Sequence, residues 1–221
     1  MVRRTKEEAL ATRERLLDAA EVLFQAQGVS QTSLQQIAQQ AGTTRGAIYW
    51  HFKDKAAIFN AMMDRVTLPL EATVQAATRG PNDDPLAELE RAMVHALGLM
   101  VANPQVRRVF DIATHKVEYT HDMASVQQRH MDARDACVVD FTRALRIAAR
   151  RSRQPLPIPA AAAAQGLHAL ISGLIQNWLL NPAAFDLVAT GRRTFRVYLD
   201  GLGVSRSACS MQPDALEAAG A

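Results

Sequence analysis

The chain of 221 residues is predicted to be all-α, with about nine helices, on the basis of three observations. Apolar residues recur at i, i+3, i+4 and i+7 in one segment after another, which is the period of a helix with one buried face. Breaks that contain proline or glycine separate these segments. No segment shows the alternating pattern that predicts a strand. Because 48% of the residues are hydrophobic, the chain can form a sizeable core.

The first helix is predicted over residues 6–27, and Gly28 ends it because glycine accepts the left-handed conformation of a helix terminus. Charged residues occupy its other faces, so a single apolar stripe is left to close a small core. That stripe consists of Leu16, Leu17, Ala20, Leu23 and Phe24.

Two short helices follow, separated by a turn at Gly42. The first is predicted to begin at Thr32, which has the form of a capping box with Gln35. The second is predicted over residues 44–51. Their inward positions are Leu34, Ile37, Ala38 and Ala41 in the first helix, and Ala47, Ile48 and Phe52 in and just after the second.

The second short helix turns polar and aromatic side chains outward, although about 10–12 Å of helix is too short to be an independent structure. Arginine pairs with guanine edges, threonine contacts a thymine methyl group, and a tyrosine or tryptophan donor reaches phosphate oxygens. A helix-turn-helix with its second helix in a DNA major groove explains the pattern, and an ordinary packing hairpin is the alternative. The expected DNA-contacting residues are Thr32, Ser33, Thr43, Thr44, Arg45, Gly46, Tyr49, Trp50, His51 and Lys55.

The charges around this helix favour the DNA interpretation. Asp54 is expected to cap a further helix, so that Lys55 lies in its first turn, where a cation is unfavourable to the helix dipole. An anionic partner would offset that cost. Lys53 is a second cation just beyond the recognition helix. Arg3 and Arg4 form a basic arm that either enters a minor groove or is merely solvated.

Four segments carry a resemblance to a known family. They are T-R-x-R-L-L-D-A-A from Thr12, L-F-x-x-x-G from Leu23, T-S-L-x-x-I-A from Thr32, and A-G-T-T-R-G-A-I-Y-W-H-F-K-D-K from Ala41. On these residues the segment 6–59 resembles the DNA-binding domain of TetR-family transcriptional regulators, and most of all the AcrR branch, repressors of multidrug efflux operons. The match covers about a quarter of the chain. The remainder is similar to the family in helix layout and only weakly in sequence.

The DNA-binding domain is expected to occupy residues 1–53. A longer helix over residues 54–78, interrupted or kinked at Pro69, leads into a helical ligand-binding and dimerisation domain over residues 54–204. Rotation of this helix would move the recognition helix while the three-helix core stayed unchanged. Residues 205–221 are expected to form a flexible tail.

Five more helices are predicted in the second domain, after a loop over residues 79–85. Asp84 followed by Pro85 is a cap and first-turn pair for the first of them. The expected helices cover residues 85–101, 104–116, 122–151, 159–180 and 187–202.

The helix that begins at residue 159 is apolar on nearly all faces, so it must be covered on two sides. One side faces its own domain, and the other, where Gly173 permits close approach, suits a partner subunit. Phe195, Tyr198 and Leu199 of the last helix are expected beside it, and a central helix of a monomer is the alternative. A twofold dimer presents two recognition helices to half-sites spaced by whole helical turns, so the operator is expected to be palindromic.

The inward positions of the second domain are large, apolar and rich in methionine. A cavity lined in this way suits bulky apolar or aromatic compounds, whereas the same residues packed against one another would leave no void. The resemblance to drug-responsive repressors favours the cavity. The expected ligand-binding residues are Leu89, Met93, Leu97, Met100, Phe110, Asp111, His115, Ile171, Ile175 and Trp178.

A metal site is the alternative role for the polar residues among these expected ligand-binding residues. Asp111, His115 and Glu118 share one face if their helix continues that far, and Glu118 with His121 has the Glu-x-x-His spacing of di-iron bundles. That chemistry needs a second such pair, which the sequence lacks. No metal or cofactor is therefore expected. The sequence also has no Gly-rich phosphate loop, G-x-S-x-G elbow or H-E-x-x-H motif, which argues against an enzyme.

Localisation is expected to be cytoplasmic, because the sequence has neither a membrane-spanning apolar run nor the apolar region of a signal peptide. Cys137 and Cys209 lack metal-ligand spacing. We interpret Cys137 as a small core residue and place Cys209 in the tail.

The expected function is therefore ligand-responsive transcriptional repression. A homodimer binds palindromic operator DNA and is released by a lipophilic effector, and the resemblance implies a multidrug efflux operon as its target. Two alternatives remain open: a regulator of the same architecture that senses a fatty-acid-like metabolite and controls metabolic genes, and a helical metalloprotein.

Overall fold

The computed structural model describes residues 6–79 and 84–204, which form nine α-helices and one 3-10 turn, His121–Met123, and contain no strand. The all-α prediction is confirmed. Arg3, Arg4, Cys209 and the tail lie outside the described residues. The helices are α1 (Lys6–Gln27), α2 (Leu34–Gln40), α3 (Arg45–His51), α4 (Lys55–Arg79), α5 (Pro85–Ala102), α6 (Pro104–His115), α7 (Ala124–Ser152), α8 (Ala160–Leu180) and α9 (Leu187–Gly201).

Helices α1, α2 and α3 pack around one apolar core. Leu16, Leu17 and Phe24 of α1 are fully buried, together with Ile37 of α2 and Ile48 of α3. Full burial of a side chain of this size contributes about 1.5–3 kcal/mol. Seven-residue helices such as α2 and α3 are too short to be stable alone, so this shared core is what holds them in place.

The start of α2 differs from the prediction by one residue. The Ser33 hydroxyl accepts a hydrogen bond from the Gln36 amide at 3.2 Å, and Gln36 Oε1 accepts one from the Ser33 amide at 2.8 Å. The predicted capping box of Thr32 and Gln35 is therefore wrong. Thr32 is only 2% exposed, and its hydroxyl donates to the Gly28 carbonyl at 2.7 Å. Hydroxyl and amide residues occur in adjacent pairs here, so the sequence pattern fitted two registers.

Helix α4 is one continuous helix of 25 residues, so Pro69 does not interrupt it, and the kink that was the other predicted outcome stays a prediction. Proline removes one backbone donor from a helix, and α4 absorbs that loss without ending. The Thr73 hydroxyl donates to the Pro69 carbonyl at 2.9 Å one turn later. At its start α4 is capped by Asp54, as predicted, whose Oδ1 accepts from the Ala57 amide at 2.7 Å. A single rod thus leads from the end of α3 into the second domain.

The second domain is built around α5, which packs on α4, α7 and α9, while α7 packs on α4 and α8. Asp84 caps α5 as predicted, accepting from the Ala87 amide at 3.0 Å, and Asn103 caps α6. Gly191 of α9 lies so close to α5 that a Cβ there would come within 2.4 Å of Leu97 Cδ1. None of the helices in the described ranges is long and apolar enough to span a bilayer.

The outer face of α8 and α9 differs from the prediction. Phe195 and Leu199 are 0% and 3% exposed, so they pack inside their own protomer and cannot cover a partner. They are buried because the apolar stripe of α9 is used to cover α5. Tyr198 is half-buried, and its hydroxyl donates to the Ala163 carbonyl at 2.8 Å. The exposed positions of α8 that repeat at helical spacing are Ala162, Gln165, Ala169, Ser172, Gln176 and Leu180.

Candidate DNA-binding surface and effector domain

Helix α3 presents most of its surface to solvent. Only Ile48 is fully buried, while Trp50 is 73% exposed. The Thr44 hydroxyl caps the helix by accepting from the Ala47 amide at 3.2 Å. The other outward residues are Arg45, Gly46 and Tyr49, which are exposed, and Thr43 and His51, which are half-buried. Helix α3 is therefore held by one core residue and leaves a continuous polar and aromatic face uncovered.

Neighbouring rings orient the exposed side chains of α3. The Arg45 guanidinium lies 5.8 Å from the centroid of the Tyr49 ring, and the Trp50 ring meets the His51 ring edge-on at 4.5 Å between centroids. A cation over an aromatic face contributes about 0.5–1 kcal/mol at an exposed position. The contact holds Arg45 on the outward face, where it can reach a base edge.

A groove of about 460 Å³ lies beside α3, between the start of α2 and the start of α4. The exposed Ser33 lines it together with Tyr49, Lys53 and Lys55. Hydroxyl and ammonium donors on a concave surface suit a phosphate group. Thr32 also borders the groove, but its hydroxyl already donates to a backbone carbonyl, so it is not a free donor for DNA.

Lys55 has partners within the chain, which the sequence did not predict. Its Nζ donates to the Ser30 carbonyl at 3.1 Å. The pKa of Asp122 is lowered chiefly by the hydrogen bond from Thr120, and the charge of Lys55 adds to that effect. An internal carboxylate therefore offsets part of the unfavourable placement of Lys55 in the first turn of α4.

A buried carboxylate joins the DNA-binding helices to the second domain. Glu21 of α1 is only 2% exposed, and it accepts hydrogen bonds from Arg65 of α4 at 2.8 Å and from Arg108 of α6 at 3.1 Å. Gln105 of α6 donates to it as well, at 3.1 Å. Three helices thus meet at one charge. The sequence analysis missed this cluster because the partners are 44 to 87 residues away from Glu21.

Two further bonds from the first domain, one from Gln25 and one from Val29, continue this contact to the end of α6. Gln25 donates to Asp111 Oδ2 at 2.8 Å, and Asp111 Oδ1 lies 2.8 Å from His115 Nδ1. The Val29 amide donates to the Lys116 carbonyl at 2.9 Å. We call the contact of Glu21, Gln25 and Val29 with α6 the α1–α6 seam. It places Asp111 and His115, which were predicted to contact ligand, against the DNA-binding domain.

The structure lacks the shared helical face that the metal-site alternative required. Helix α6 ends at His115, so Glu118 does not share a helical face with Asp111 and His115 as the prediction required. Within the residues that the structure describes, no group of three or more His, Cys, Asp or Glu side chains is arranged to hold a metal ion.

The apolar members of the predicted ligand set lie in the interior of the second domain. Phe110, Ile171 and Ile175 are half-buried against this core, and the others are buried in it. Those buried are Leu89, Met93, Leu97, Met100 and Trp178. A separate groove of about 650 Å³ between α4 and α5 is lined by none of them. The structure therefore shows these residues within the packed apolar core, and their ligand-binding role stays a prediction.

Comparison with known proteins decides the family. Residues 16–62 match the model described as bacterial regulatory proteins, tetR family. Residues 84–203 match the C-terminal region of MAATS-type transcriptional repressors. The chain belongs to the TetR family. The predicted resemblance is confirmed, and the proteins of this family are DNA-binding regulators rather than enzymes.

The similarity to individual TetR-family proteins extends over nearly the whole chain. AcrR of Shigella flexneri is 38% identical over 206 residues, which cover 90% of this chain and 93% of AcrR. The structure of NalD, the secondary repressor of the MexAB-OprM multidrug efflux pump in Pseudomonas aeruginosa, superposes with a TM-score of 0.80 at 34% identity and covers 89% of this chain and 98% of NalD.

A third relative was solved with a small molecule. The complex of SmeT with triclosan has a TM-score of 0.76 at 30% identity, covering 92% of this chain and 98% of SmeT. SmeT is the repressor of the Stenotrophomonas maltophilia multidrug efflux pump SmeDEF. The homologues of this chain are thus repressors of efflux pump operons, and regulators of the family bind operator DNA and ligands, typically as dimers.

Proposed function

We propose that this TetR-family protein is a dimeric repressor of a multidrug efflux operon, which a lipophilic ligand releases from a palindromic operator. The observation that carries the proposal is α3, whose single fully buried residue, Ile48, leaves an exposed face of donors and aromatic rings. Its similarity to AcrR, NalD and SmeT supports efflux genes as the target.

The exposed residues of this surface divide into those that contact bases and those that contact phosphates. Arg45 hydrogen-bonds a guanine edge in the major groove, and Thr44 contacts a neighbouring base or its methyl group. Tyr49, Trp50 and Lys55 contact phosphates on either side of the groove, with Ser33 at the start of α2. The base contact selects the sequence, and the phosphate contacts position α3 without reading it.

The dimer forms through the exposed side of α8. Its six outward residues, from Ala162 to Leu180, are uncharged, and three of them are alanine or serine, which lets two copies of the helix approach closely. Val197 of α9 is 71% exposed, and we assign it to the same interface. Twofold pairing of this surface sets the distance between the two α3 helices, and the operator half-sites have the matching spacing.

Release begins in the apolar core around Met93, Leu97 and Trp178. A bulky ligand that enters this core displaces buried side chains, and methionine adapts to ligands of different shape. The resulting displacement of α6 reaches α1 through the α1–α6 seam and reaches α4 through Arg65, which shares Glu21 with α6. A ligand that favours the released state by about 1–3 kcal/mol changes operator affinity 5- to 150-fold.

Fluorescence anisotropy with duplexes that tile the DNA upstream of the gene for this protein and of neighbouring transporter genes tests the proposal. We expect one inverted repeat to be bound with submicromolar affinity, and triclosan or a lipophilic dye to weaken that binding at least fivefold. Binding without preference for an inverted repeat would contradict the operator assignment. Selective binding that no apolar compound weakens would contradict the proposed effector class.

A further inference from the structure

The second half of α7 carries a row of arginines that operator reading by α3 does not use. Arg143, Arg146 and Arg150 recur at i, i+3 and i+7 and share one helical face, and Arg153 follows as the C-cap. We call these four residues the distal arginine row. All four are exposed, and no carboxylate in the described ranges pairs with them.

The sequence around the row has few acidic residues. From residue 141 to residue 185, the stretch that contains the row, the chain has no aspartate or glutamate. A cation near the end of a helix stabilises its dipole, but only within the last turn. That effect accounts for Arg150 and Arg153 and leaves Arg143 and Arg146 unexplained.

The row lies at the end of the second domain that is remote from α3. Helix α7 runs alongside α4 in the same direction, because the turn at His121–Met123 contacts the start of α4, and Arg129 lies further along, donating to Asp64 at 2.6 Å and to Thr67 at 2.7 Å. Arg150 lies about 30 Å beyond Arg129 along the helix. The row therefore cannot contact the operator that α3 binds.

We propose that the distal arginine row binds the phosphate backbone of a second DNA duplex, so that a protein bound to its operator holds another DNA segment at its opposite end. Arginine pairs with phosphate through two parallel hydrogen bonds. The row extends over about 15 Å. Double-stranded DNA carries about nine phosphate charges over that length.

Other occupants fit the row less well. Single-stranded nucleic acid is held by stacking on aromatic rings, and no aromatic residue lies between Phe141 and Trp178. A lipid surface needs a broad apolar face beside the charges, whereas Val139 is the large exposed apolar residue in line with the row. Two copies of the row would repel each other. A duplex backbone requires positive charge alone, and the DNA already held by α3 is flanked by such backbone at high local concentration.

A bridging assay tests this proposal with the full-length protein. Beads that carry a 60-base-pair duplex of random sequence are mixed with protein and a fluorescent second duplex at about 50 mM salt, where phosphate contacts are strong. The wild type is expected to capture the second duplex. The triple variant Arg143→Gln, Arg146→Gln, Arg150→Gln is expected to capture at least tenfold less and to lose about three units of salt slope.

A matched control variant distinguishes the effect of the distal arginine row from the effect of positive charge elsewhere on the surface. Arg91→Gln, Arg107→Gln and Arg134→Gln together remove the same charge from other surfaces and are expected to leave capture unchanged. Operator affinity is expected to be equal in all three proteins, so a failure of the efflux-repressor proposal would appear in the anisotropy experiment and not here. Capture by the row variant equal to that of the wild type would overturn the inference. So would a wild type that captures no duplex, or one that floats with phosphatidylglycerol vesicles instead.

Discussion

Glu21 of α1 and Arg65 of α4 are 44 residues apart in the sequence and join their helices through a hydrogen bond of 2.8 Å at a carboxylate that is almost completely buried. Arg108 of α6 donates to the other oxygen of the same carboxylate at 3.1 Å. One charge on the DNA-binding domain is thus shared by the helix that leads to α3 and by the helix that borders the effector core. Displacement of α6 would either break the Arg108 bond or shift Glu21 together with its bond to Arg65, and we infer that the α1–α6 seam transmits ligand binding in this way.

Glu21→Ala is expected to lower the free energy of unfolding by about 2–4 kcal/mol, because it leaves two guanidinium groups without their buried acceptor. Asp18→Ala is the matched control, since Asp18 accepts from the same Arg65 at 2.7 Å but is largely exposed. Its loss is expected to change stability by less than about 1 kcal/mol. Urea unfolding measures both, and equal losses would refute a special role for Glu21.

Arg45→Ala is expected to weaken operator binding by about 1–3 kcal/mol and to relax the preference at one base pair. Lys55→Ala is expected to weaken all duplexes alike and to flatten the salt slope by about one unit. Anisotropy titrations against a set of singly substituted operators measure both quantities. A uniform loss with Arg45→Ala would mean that Arg45 contacts phosphate and reads no base.

Ala169→Arg is expected to convert the dimer to a monomer, because two like charges would meet across the twofold axis of the proposed α8 surface. Val139→Arg places the same charge on an exposed position of α7 and is expected to leave the dimer intact. Light scattering after size exclusion gives the mass of each variant. If the Ala169→Arg variant is still a dimer, the subunit interface lies on another surface.

The two tryptophans provide a separate signal for each ligand, since Trp50 is 73% exposed on α3 and Trp178 is 4% exposed in the effector core. In Trp50→Phe, triclosan is expected to quench the remaining emission with a saturable dependence on concentration. In Trp178→Phe, operator DNA is expected to quench the emission instead. Quenching of Trp50 by triclosan without any change at Trp178 would place the ligand outside the predicted core.

Cys137 is expected to be inert to thiol reagents in the folded protein. Burial raises the pKa of its thiol to about 11, and the charges of Asp140 and Glu71 add to that shift. The folded-state pKa lies above the ordinary value of 9.0. The contribution of the neutral Cys137 thiol to the free energy of unfolding is therefore complete below about pH 9 and is lost as the pH rises towards 11. In the Cys209→Ser variant the remaining cysteine is Cys137. The rate at which a thiol reagent labels it between pH 7 and pH 10 measures how much reactive thiolate it forms. Rapid labelling at pH 8 would show an accessible thiolate.

Local signals predicted the helices well because capping and helix-ending residues act on their immediate neighbours. Gly28, Asp54 and Asp84 each mark a helix end that the structure reproduces. The error at Thr32 arose where two adjacent residues could each serve as the cap. Pro69 does not interrupt α4, because packing along a long helix can keep it continuous, and a local rule does not register that packing.

The long-range contacts of the site could not be predicted in the same way. Glu21 appeared to be one of several charges on the outer faces of α1, and nothing in its neighbourhood indicates that Arg65 and Arg108 bury it. The same limit applies to α9, where helical periodicity identifies an apolar stripe around Phe195 but not which surface that stripe covers. For that reason the sequence identified α3 as an exposed helix, whereas it did not show that Phe195 and Leu199 are buried within their own protomer.

The hydrogen bond from the Val29 amide to the Lys116 carbonyl involves no side chain at all. Alanine scanning will not detect it, and neutral drift at either position leaves it in place. Side chains in the apolar core of the second domain can therefore be exchanged during evolution while this backbone link between the two domains is retained.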